Sequence, residues 1–110
     1  MSERLWQLER AFWTGAAAEA IRHLHPAAVM ILAPTGLIRG KALAATLTSA
    51  PRWDSVTMNG EAVETDGITV LAYDALARRG GDSYQALCSS AWVRVAGGWR
   101  LLSHQQTPPL

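Results

Sequence analysis

Two strand-like runs of mixed apolar and polar residues occupy the last third of the chain. Over residues 84–95, and again over 99–106, alternate side chains are expected on opposite faces, with the period of two that a β-strand gives. Ala96, Gly97 and Gly98 separate the two runs, and glycine supplies the positive φ of a tight turn. The pattern therefore predicts a long hairpin over residues 84–107, with the rest of the chain covering one face of its sheet.

Two earlier turn signals extend the hairpin into a meander. Asp66-Gly67 and the segment 79–82 separate strand-like runs over residues 53–64 and 68–78. We expect four antiparallel strands over residues 53–106, helices only before residue 50, and no parallel pair of strands.

The first half of the chain predicts helices and a short hairpin. Leu5, Leu8 and Phe12 recur at helical spacing, and the apolar stripe continues to Leu24, so residues 3–24 predict two helices or one bent helix that ends before Pro26. The remaining elements are a buried strand over 27–33, a brief return strand at 37–38 and a short helix over 41–49.

Turns of two, four and two residues determine which side chains share a face of the meander. One face is rich in small and uncharged residues and is expected to lie under the helices: Val56, Met58, Gly60, Ala62, Leu71, Tyr73, Ala75, Ala86, Cys88, Ser90, Trp92, Leu101, Ser103 and Gln105. The other face is mixed and is expected to meet solvent or a second subunit: Thr57, Asn59, Glu61, Val70, Asp74, Leu87, Ser89, Val93, Arg100, Leu102, His104 and Gln106. A bulge in any strand would exchange the two sets beyond it.

Composition narrows the class of protein. The 110 residues predict a single domain over 1–110, with 49% hydrophobic and only 17% charged residues. That apolar excess favours a homodimer that forms through the mixed face of the sheet. A net charge of +1 without a basic stripe argues against nucleic-acid binding. One cysteine, no apolar run of membrane-spanning length and a charged N-terminus predict a cytoplasmic protein that does not bind membranes.

The order of elements resembles the nuclear-transport-factor-2-like superfamily over essentially the whole chain. Leu8-Glu9 with Phe12-Trp13 resembles the first-helix pattern of that superfamily, and residues 32–40 resemble its first hairpin. Residues 97–101, Gly-Gly-Trp-Arg-Leu, followed by His104, are similar to the ending of its SnoaL-like and small uncharacterised members. The resemblance implies an α+β, cone-shaped (cystatin-like) fold with N-terminal helices packed on a curved antiparallel sheet. It implies no single activity, because the superfamily includes isomerases, cyclases, ligand binders and interaction modules.

Ketosteroid isomerase and polyketide cyclase, the enzymes that the resemblance brings in, use a pocket Asp or His as base and a Tyr or Asp as acid. The predicted inner face carries Tyr73 but no carboxylate, while Asp74, Glu61 and His104 fall on the other face. An isomerase or cyclase acting on a hydrophobic carbonyl compound would therefore need His104 or Asp74 to turn inward through a bulge.

The leading hypothesis is a small-molecule-binding domain, noncatalytic or weakly catalytic, with an apolar pocket between helices and sheet. Its ligand would be a small apolar or carbonyl-containing molecule. The isomerase or cyclase and a dimerisation module with a filled core are the alternatives. The candidate ligand-binding residues are Trp13, Met58, Tyr73, Cys88, Ser90, Trp92 and Gln105. No cofactor is expected, and no metal site either, because His23 and His25 supply too few ligands.

Overall fold

The computed structural model describes residues 2–109, with helices ahead of a long meander. The elements in chain order are α1 (Glu3–Thr14), α2 (Ala17–Arg22), β1 (Leu24–Leu32), β2 (Gly36–Arg39), α3 (Lys41–Ser49), β3 (Ser55–Thr65), β4 (Ile68–Arg79), β5 (Asp82–Val95) and β6 (Gly98–Thr107). The stripe over residues 3–24 thus folds as two helices rather than one bent helix. None of the helices among residues 2–109 is long and apolar enough to cross a bilayer.

The six strands form one sheet in the order β2-β1-β6-β5-β4-β3. Strands β3 to β6 pair antiparallel in sequence order, which confirms the predicted meander. The expectation of no parallel pair was wrong, because β1 runs parallel to β6. Parallel neighbours need a long connection. Here the connection consists of β2, α3 and the other three strands of the meander, so the direction of β1 is not constrained by a tight turn.

Apolar side chains from the helices and from one face of the sheet form a single core. Leu5, Phe12 and Trp13 of α1 pack in that core with Leu71 of β4 and Leu101 of β6. The curved, unclosed sheet with helices on one side confirms the α+β fold. The rest of this core comes from all three helices, from β1 and β2, and from the other inner-face positions of the meander.

A bulge near the middle of β6 changes the predicted faces. Trp92 pairs with Leu101 and Ala91 pairs with Ser103, so Leu102 is an extra residue without a partner on β5. Positions of β6 beyond Leu102 therefore exchange faces. His104, which was expected on the outer face, is 1% exposed and lies among the inner-face residues. The predicted inner positions at Ser103 and Gln105 were wrong for the same reason.

Elsewhere the predicted faces are correct. Strands β3, β4 and β5 present Val56, Leu71, Tyr73, Ala86 and Cys88 to the interior. The turn between β4 and β5 holds two residues rather than four, since Arg79 pairs with Asp82. The difference is an even number of residues, so the side chains keep their faces.

Candidate functional site

A carboxylate from α1 lies at the centre of the buried polar groups. Glu9 is 0% exposed. Its Oε2 accepts hydrogen bonds from the hydroxyls of Tyr73 and Ser90, the second at 2.5 Å. Its Oε1 accepts a bond from Nε1 of Trp92 at 2.8 Å. Helix α1 places the side chain there because Glu9 is four residues after Leu5 and four before Trp13, in the middle of the apolar stripe.

The surroundings of Glu9 favour its ionised form. Burial raises the pKa of Glu9, but the nearby His104 and the hydrogen bonds from Ser90 and Tyr73 outweigh burial and hold that pKa below its usual value. Nδ1 of His104 lies 3.5 Å from Glu9 Oε2. The pKa of Tyr73 is raised, first by burial and then by the charge of Glu9. The hydroxyl of Tyr73 therefore stays a hydrogen-bond donor.

The polar groups continue from Glu9 toward the edge of the core. Ser90 Oγ lies 2.6 Å from Nδ1 of His104, and Nε2 of His104 lies 3.0 Å from Nε2 of Gln106. The Tyr84 hydroxyl donates to Oε1 of Gln106 at 3.0 Å. Within residues 2–109, every buried side-chain nitrogen and oxygen has a hydrogen-bond partner. Glu9 and its immediate partners are therefore a satisfied network that is closed to solvent.

A cleft of about 130 Å³ opens where this network reaches the surface. We call it the rim cleft, and its lining is mostly apolar and aromatic: Phe12, Trp13, Leu32, Thr46, Leu47, Ala50, Pro51, Arg52, Trp53 and Gln106. The ring of Trp53 stacks on Tyr84 at 5.7 Å between centroids, and the guanidinium of Arg79 lies over it at 4.3 Å from the centroid. The wall that Trp53 forms is thus preorganised.

Arg52 supplies the positive charge of the rim cleft. Its Nε donates to the Gly15 carbonyl at 2.6 Å, and its Nη2 donates to the Phe12 carbonyl. These carbonyls are at the C-terminal end of α1, where a cation is favoured by the helix dipole. Partial burial lowers the pKa of Arg52. The guanidinium is therefore fixed in position at the edge of an apolar surface.

A larger cleft, of about 230 Å³, lies between α1 and α2. Its floor includes Leu8, Trp92 and Leu101, and its mouth carries Arg4 and Arg22 among exposed polar residues. Arg22 is engaged by Glu19 at 2.7 Å. This helix cleft does not reach the Ser90–His104–Gln106 part of the network.

The structure brings most of the sequence-predicted site residues together, but in packed core. Trp13, Tyr73, Cys88, Ser90 and Trp92 are all buried on the inner side of the sheet. Of these, Trp13 lines the rim cleft and Trp92 lines the helix cleft, while the other three line neither.

The two remaining predicted residues lie apart from that group. Met58 is half-buried on β3 and packs against the core. Gln105 lies on the outer face, where its Nε2 donates to Ser89 Oγ at 3.2 Å. Burial, followed by the charge of Glu9, raises the pKa of the Cys88 thiol to about 12, so this thiol is not a nucleophile at neutral pH.

Sequence reasoning missed Glu9 and Arg52 and placed Gln106 on the outer face of the sheet. The predicted inner face of the sheet carries no carboxylate, but Glu9 enters the core from α1 and supplies one. Its position on the apolar stripe of α1 was an available signal. Arg52 and Gln106 had no such signal, since one depends on the path of the loop before β3 and the other on the bulge in β6. Among residues 2–109, no group of three or more His, Cys, Asp or Glu side chains is arranged to hold a metal ion.

Comparison with solved structures identifies the fold. A candidate ketosteroid isomerase from Parabacteroides distasonis is similar with a TM-score of 0.87 and 14% identity, over 99% of this chain and 88% of that one. A nuclear-transport-factor-2-like protein from Cytophaga hutchinsonii matches with a TM-score of 0.76 and 14% identity, over 99% and 100% of the two chains. A candidate calcium/calmodulin-dependent protein kinase type II association domain from Thiobacillus denitrificans matches with a TM-score of 0.75 and 16% identity, over 96% and 89%.

These similarities define the fold and no narrower identity. The chain has the nuclear-transport-factor-2-like fold, as the sequence resemblance indicated. Neither a protein-family model nor a curated protein matches it. The similar structures carry names as different as isomerase and association domain, so the fold alone leaves the activity open.

Proposed function

We propose that the chain is a small-molecule-binding domain, noncatalytic or weakly catalytic, whose ligand occupies the rim cleft. The observation that carries the proposal is the meeting of a rigid aromatic wall with a fixed guanidinium and an amide in one concave site. Trp13 and Trp53 supply apolar area, while Arg52 and Gln106 supply oriented polar groups. Few polar groups on an apolar lining are typical of ligand sites.

The chemistry of the cleft favours an apolar ring that carries a carbonyl. Arg52 uses Nε and Nη2 on backbone carbonyls, and within residues 2–109 its Nη1 donates to no protein acceptor. A ligand carbonyl is a suitable acceptor for that nitrogen, since arginine has only donors. A cavity of about 150 Å³ holds benzene. The rim cleft, which is open on one side, suits a ligand with one ring, or with two fused rings of which one extends to the opening.

Titration calorimetry with acetophenone and ethylbenzene tests the proposal, since the two molecules differ at the carbonyl. Loss of a hydrogen bond to a charged donor costs about 1.5–3 kcal/mol, so ethylbenzene should bind at least about tenfold more weakly. Ala50→Trp should fill the cleft and abolish binding. Ala45→Trp, on an exposed position of α3, should leave binding intact. Equal affinity of the wild type and Ala50→Trp would place the ligand elsewhere.

An isomerase-type activity is the second candidate, and the bulge in β6 favours it. The bulge brings His104 inward, which was the condition set for this activity, and Glu9 lies beside it. The candidate isomerase among the similar structures is consistent with it. The burial of His104 and Glu9, which are at most 1% exposed, argues against this activity, because a substrate could not reach them. Exchange of the methyl protons of acetophenone in D₂O, followed by NMR, would reveal enolisation. Loss of this exchange in His104→Ala would support an isomerase-type activity.

We further propose a homodimer that forms through the outer face of the sheet. Leu87 and Ile31 are 59% and 55% exposed there, beside the half-buried Val70 and Val93. A stable interface of this kind covers about 800 Å² on each partner. Leu87→Glu should shift the mass in sedimentation from dimer to monomer, and Thr48→Glu, on an exposed helix position, should not. A monomeric wild type at micromolar concentration would exclude the dimer.

A further inference from the structure

An unbroken run of hydrogen-bonded side chains joins the buried carboxylate of Glu9 to the rim cleft. Ser90 Oγ lies 2.5 Å from Glu9 Oε2 and 2.6 Å from His104 Nδ1. The other ring nitrogen of His104 lies 3.0 Å from Nε2 of Gln106, whose Oε1 accepts from Tyr84 at 3.0 Å. Ser90 and His104 are each 1% exposed and Glu9 is 0% exposed, so bulk water does not interrupt the run.

The contact between His104 and Gln106 defines the direction of these hydrogen bonds. Two nitrogens share a hydrogen bond only if one of them accepts, and an amide nitrogen does not accept. Nε2 of His104 is therefore the acceptor. A neutral imidazole with an acceptor at Nε2 carries its proton on Nδ1. Nδ1 then donates to Ser90 Oγ, and Ser90 donates its own proton to Glu9.

The charge on Glu9 excludes the opposite direction of the hydrogen bonds between His104, Ser90 and Glu9. If Nδ1 of His104 carried no proton, the Ser90 hydroxyl would have to donate to it. Ser90 Oγ and Glu9 Oε2 would then be two acceptors 2.5 Å apart with no proton between them. Such an arrangement is costly in a buried site without water. The ionised carboxylate therefore selects the tautomer of His104.

We propose that Glu9 is a positioning residue that sets the hydrogen-bonding polarity of Gln106 in the rim cleft. With Nδ1 of His104 protonated, Gln106 turns its nitrogen inward and its carbonyl outward, toward the half-buried Tyr84. The outward carbonyl favours a ligand that carries an N–H or O–H donor, in addition to a carbonyl group to which Arg52 donates. This ligand preference rests on the proposed function, whereas the tautomer does not.

The tautomer is measured directly from the ¹⁵N signals of the His104 ring. The wild type should show a protonated Nδ1 and an unprotonated Nε2. In Glu9→Gln, the amide oxygen keeps the bond from Trp92 and the amide nitrogen replaces Oε2. That nitrogen donates to Ser90, Ser90 donates to Nδ1, and the proton of His104 should move to Nε2.

Two further variants make this test decisive. Glu64→Gln, on an exposed position of β3, should leave the ring signals unchanged. Gln106→Leu should keep the proton on Nδ1, because Glu9 and not Gln106 selects the tautomer. If Glu9→Gln does not fold, the wild type and Gln106→Leu still decide. A wild-type ring protonated at Nε2, or a folded Glu9→Gln with an unchanged tautomer, would overturn the proposal.

Indole and benzofuran test the ligand preference, because they share a shape and differ in the N–H donor. The wild type should bind indole about tenfold more tightly, as one hydrogen bond contributes, and Glu9→Gln should lose that preference. Equal affinity of the two probes for the wild type would overturn the predicted preference. If the tautomers behave as expected but acetophenone, indole and benzofuran all fail to bind, the positioning role of Glu9 stands and the proposed function fails.

Discussion

Replacement of Glu9 by glutamine measures how much the buried carboxylate contributes to stability. The variant keeps the shape of the side chain, so no cavity forms. Its amide nitrogen replaces the oxygen that accepts from Tyr73 and Ser90. Ser90 can reverse its bond toward His104, but the Tyr73 hydroxyl loses its acceptor. One buried donor without a partner costs about 1–3 kcal/mol. A domain of this size has about 5–15 kcal/mol of stability, so the variant should still fold.

The difference between wild type and Glu9→Gln should depend on pH. The pKa of Glu9 is lowered in the folded protein from a reference value of 4.5. The unfolded chain therefore binds more protons in the window below that reference. The contribution of the carboxylate is fully present above about pH 4.5 and is lost as the pH falls through the folded pKa. The slope is at most about 1.4 kcal/mol per pH unit for a single proton.

Urea denaturation, followed by tryptophan fluorescence from neutral pH down to about pH 3, measures both the stability difference between the two proteins and its dependence on pH. Wild type and Glu9→Gln should differ by about 1–3 kcal/mol at neutral pH and should converge in acid. Glu64→Gln, exposed on β3, is the control for removal of a charge. Parallel curves over the whole range would show that Glu9 is not ionised in the folded protein. A Glu9→Gln protein as stable as the wild type at neutral pH would refute the role of the network.

Three other changes test separate parts of the structure. In urea denaturation, Gly60→Ala should destabilise the protein by at least about 2 kcal/mol, because a Cβ there would lie 1.9 Å from the backbone oxygen of Ala72. Asn59→Ala, at the exposed neighbouring position, should change stability by less than about 0.5 kcal/mol. The buried Cys88 thiol, with its pKa raised to about 12, should resist alkylation at about pH 8 until urea unfolds the chain, and rapid native labelling would contradict its burial. Arg52→Gln should lower the free energy of unfolding by about 1–2 kcal/mol and should speed amide hydrogen exchange at the end of α1. Unchanged exchange there would contradict the role of Arg52 at the α1 C-terminus.

The meander was predictable because its signals are local. Strand alternation and the glycines at the turns are read within a few residues, and β3 to β6 follow them. The face exchange in β6 was not predictable, because Leu101-Leu102-Ser103-His104 shows no alternation that would reveal an extra residue. Only the pairing with β5 assigns that residue to Leu102.

The candidate site was harder to predict than the fold, because its groups are brought together by long-range contacts. From composition alone, Glu9 is expected at the surface because its side chain is charged. Its burial is possible only because Tyr73, Ser90 and Trp92 donate hydrogen bonds to it. Those partners lie more than sixty positions away along the chain. The position of Arg52 depends in the same way on the carbonyls at the end of α1.

Binding in the rim cleft is tested most directly by the indole Nε1–H signals of the tryptophans during titration with acetophenone. Trp13 and Trp53 line the rim cleft, Trp92 lines the helix cleft, and Trp6 and Trp99 line neither. In ¹H–¹⁵N spectra, the signals of Trp13 and Trp53 should shift and saturate together, while those of Trp6 and Trp99 stay in place. A shift confined to Trp92, or no shift in any of the five tryptophans, would contradict the proposed function.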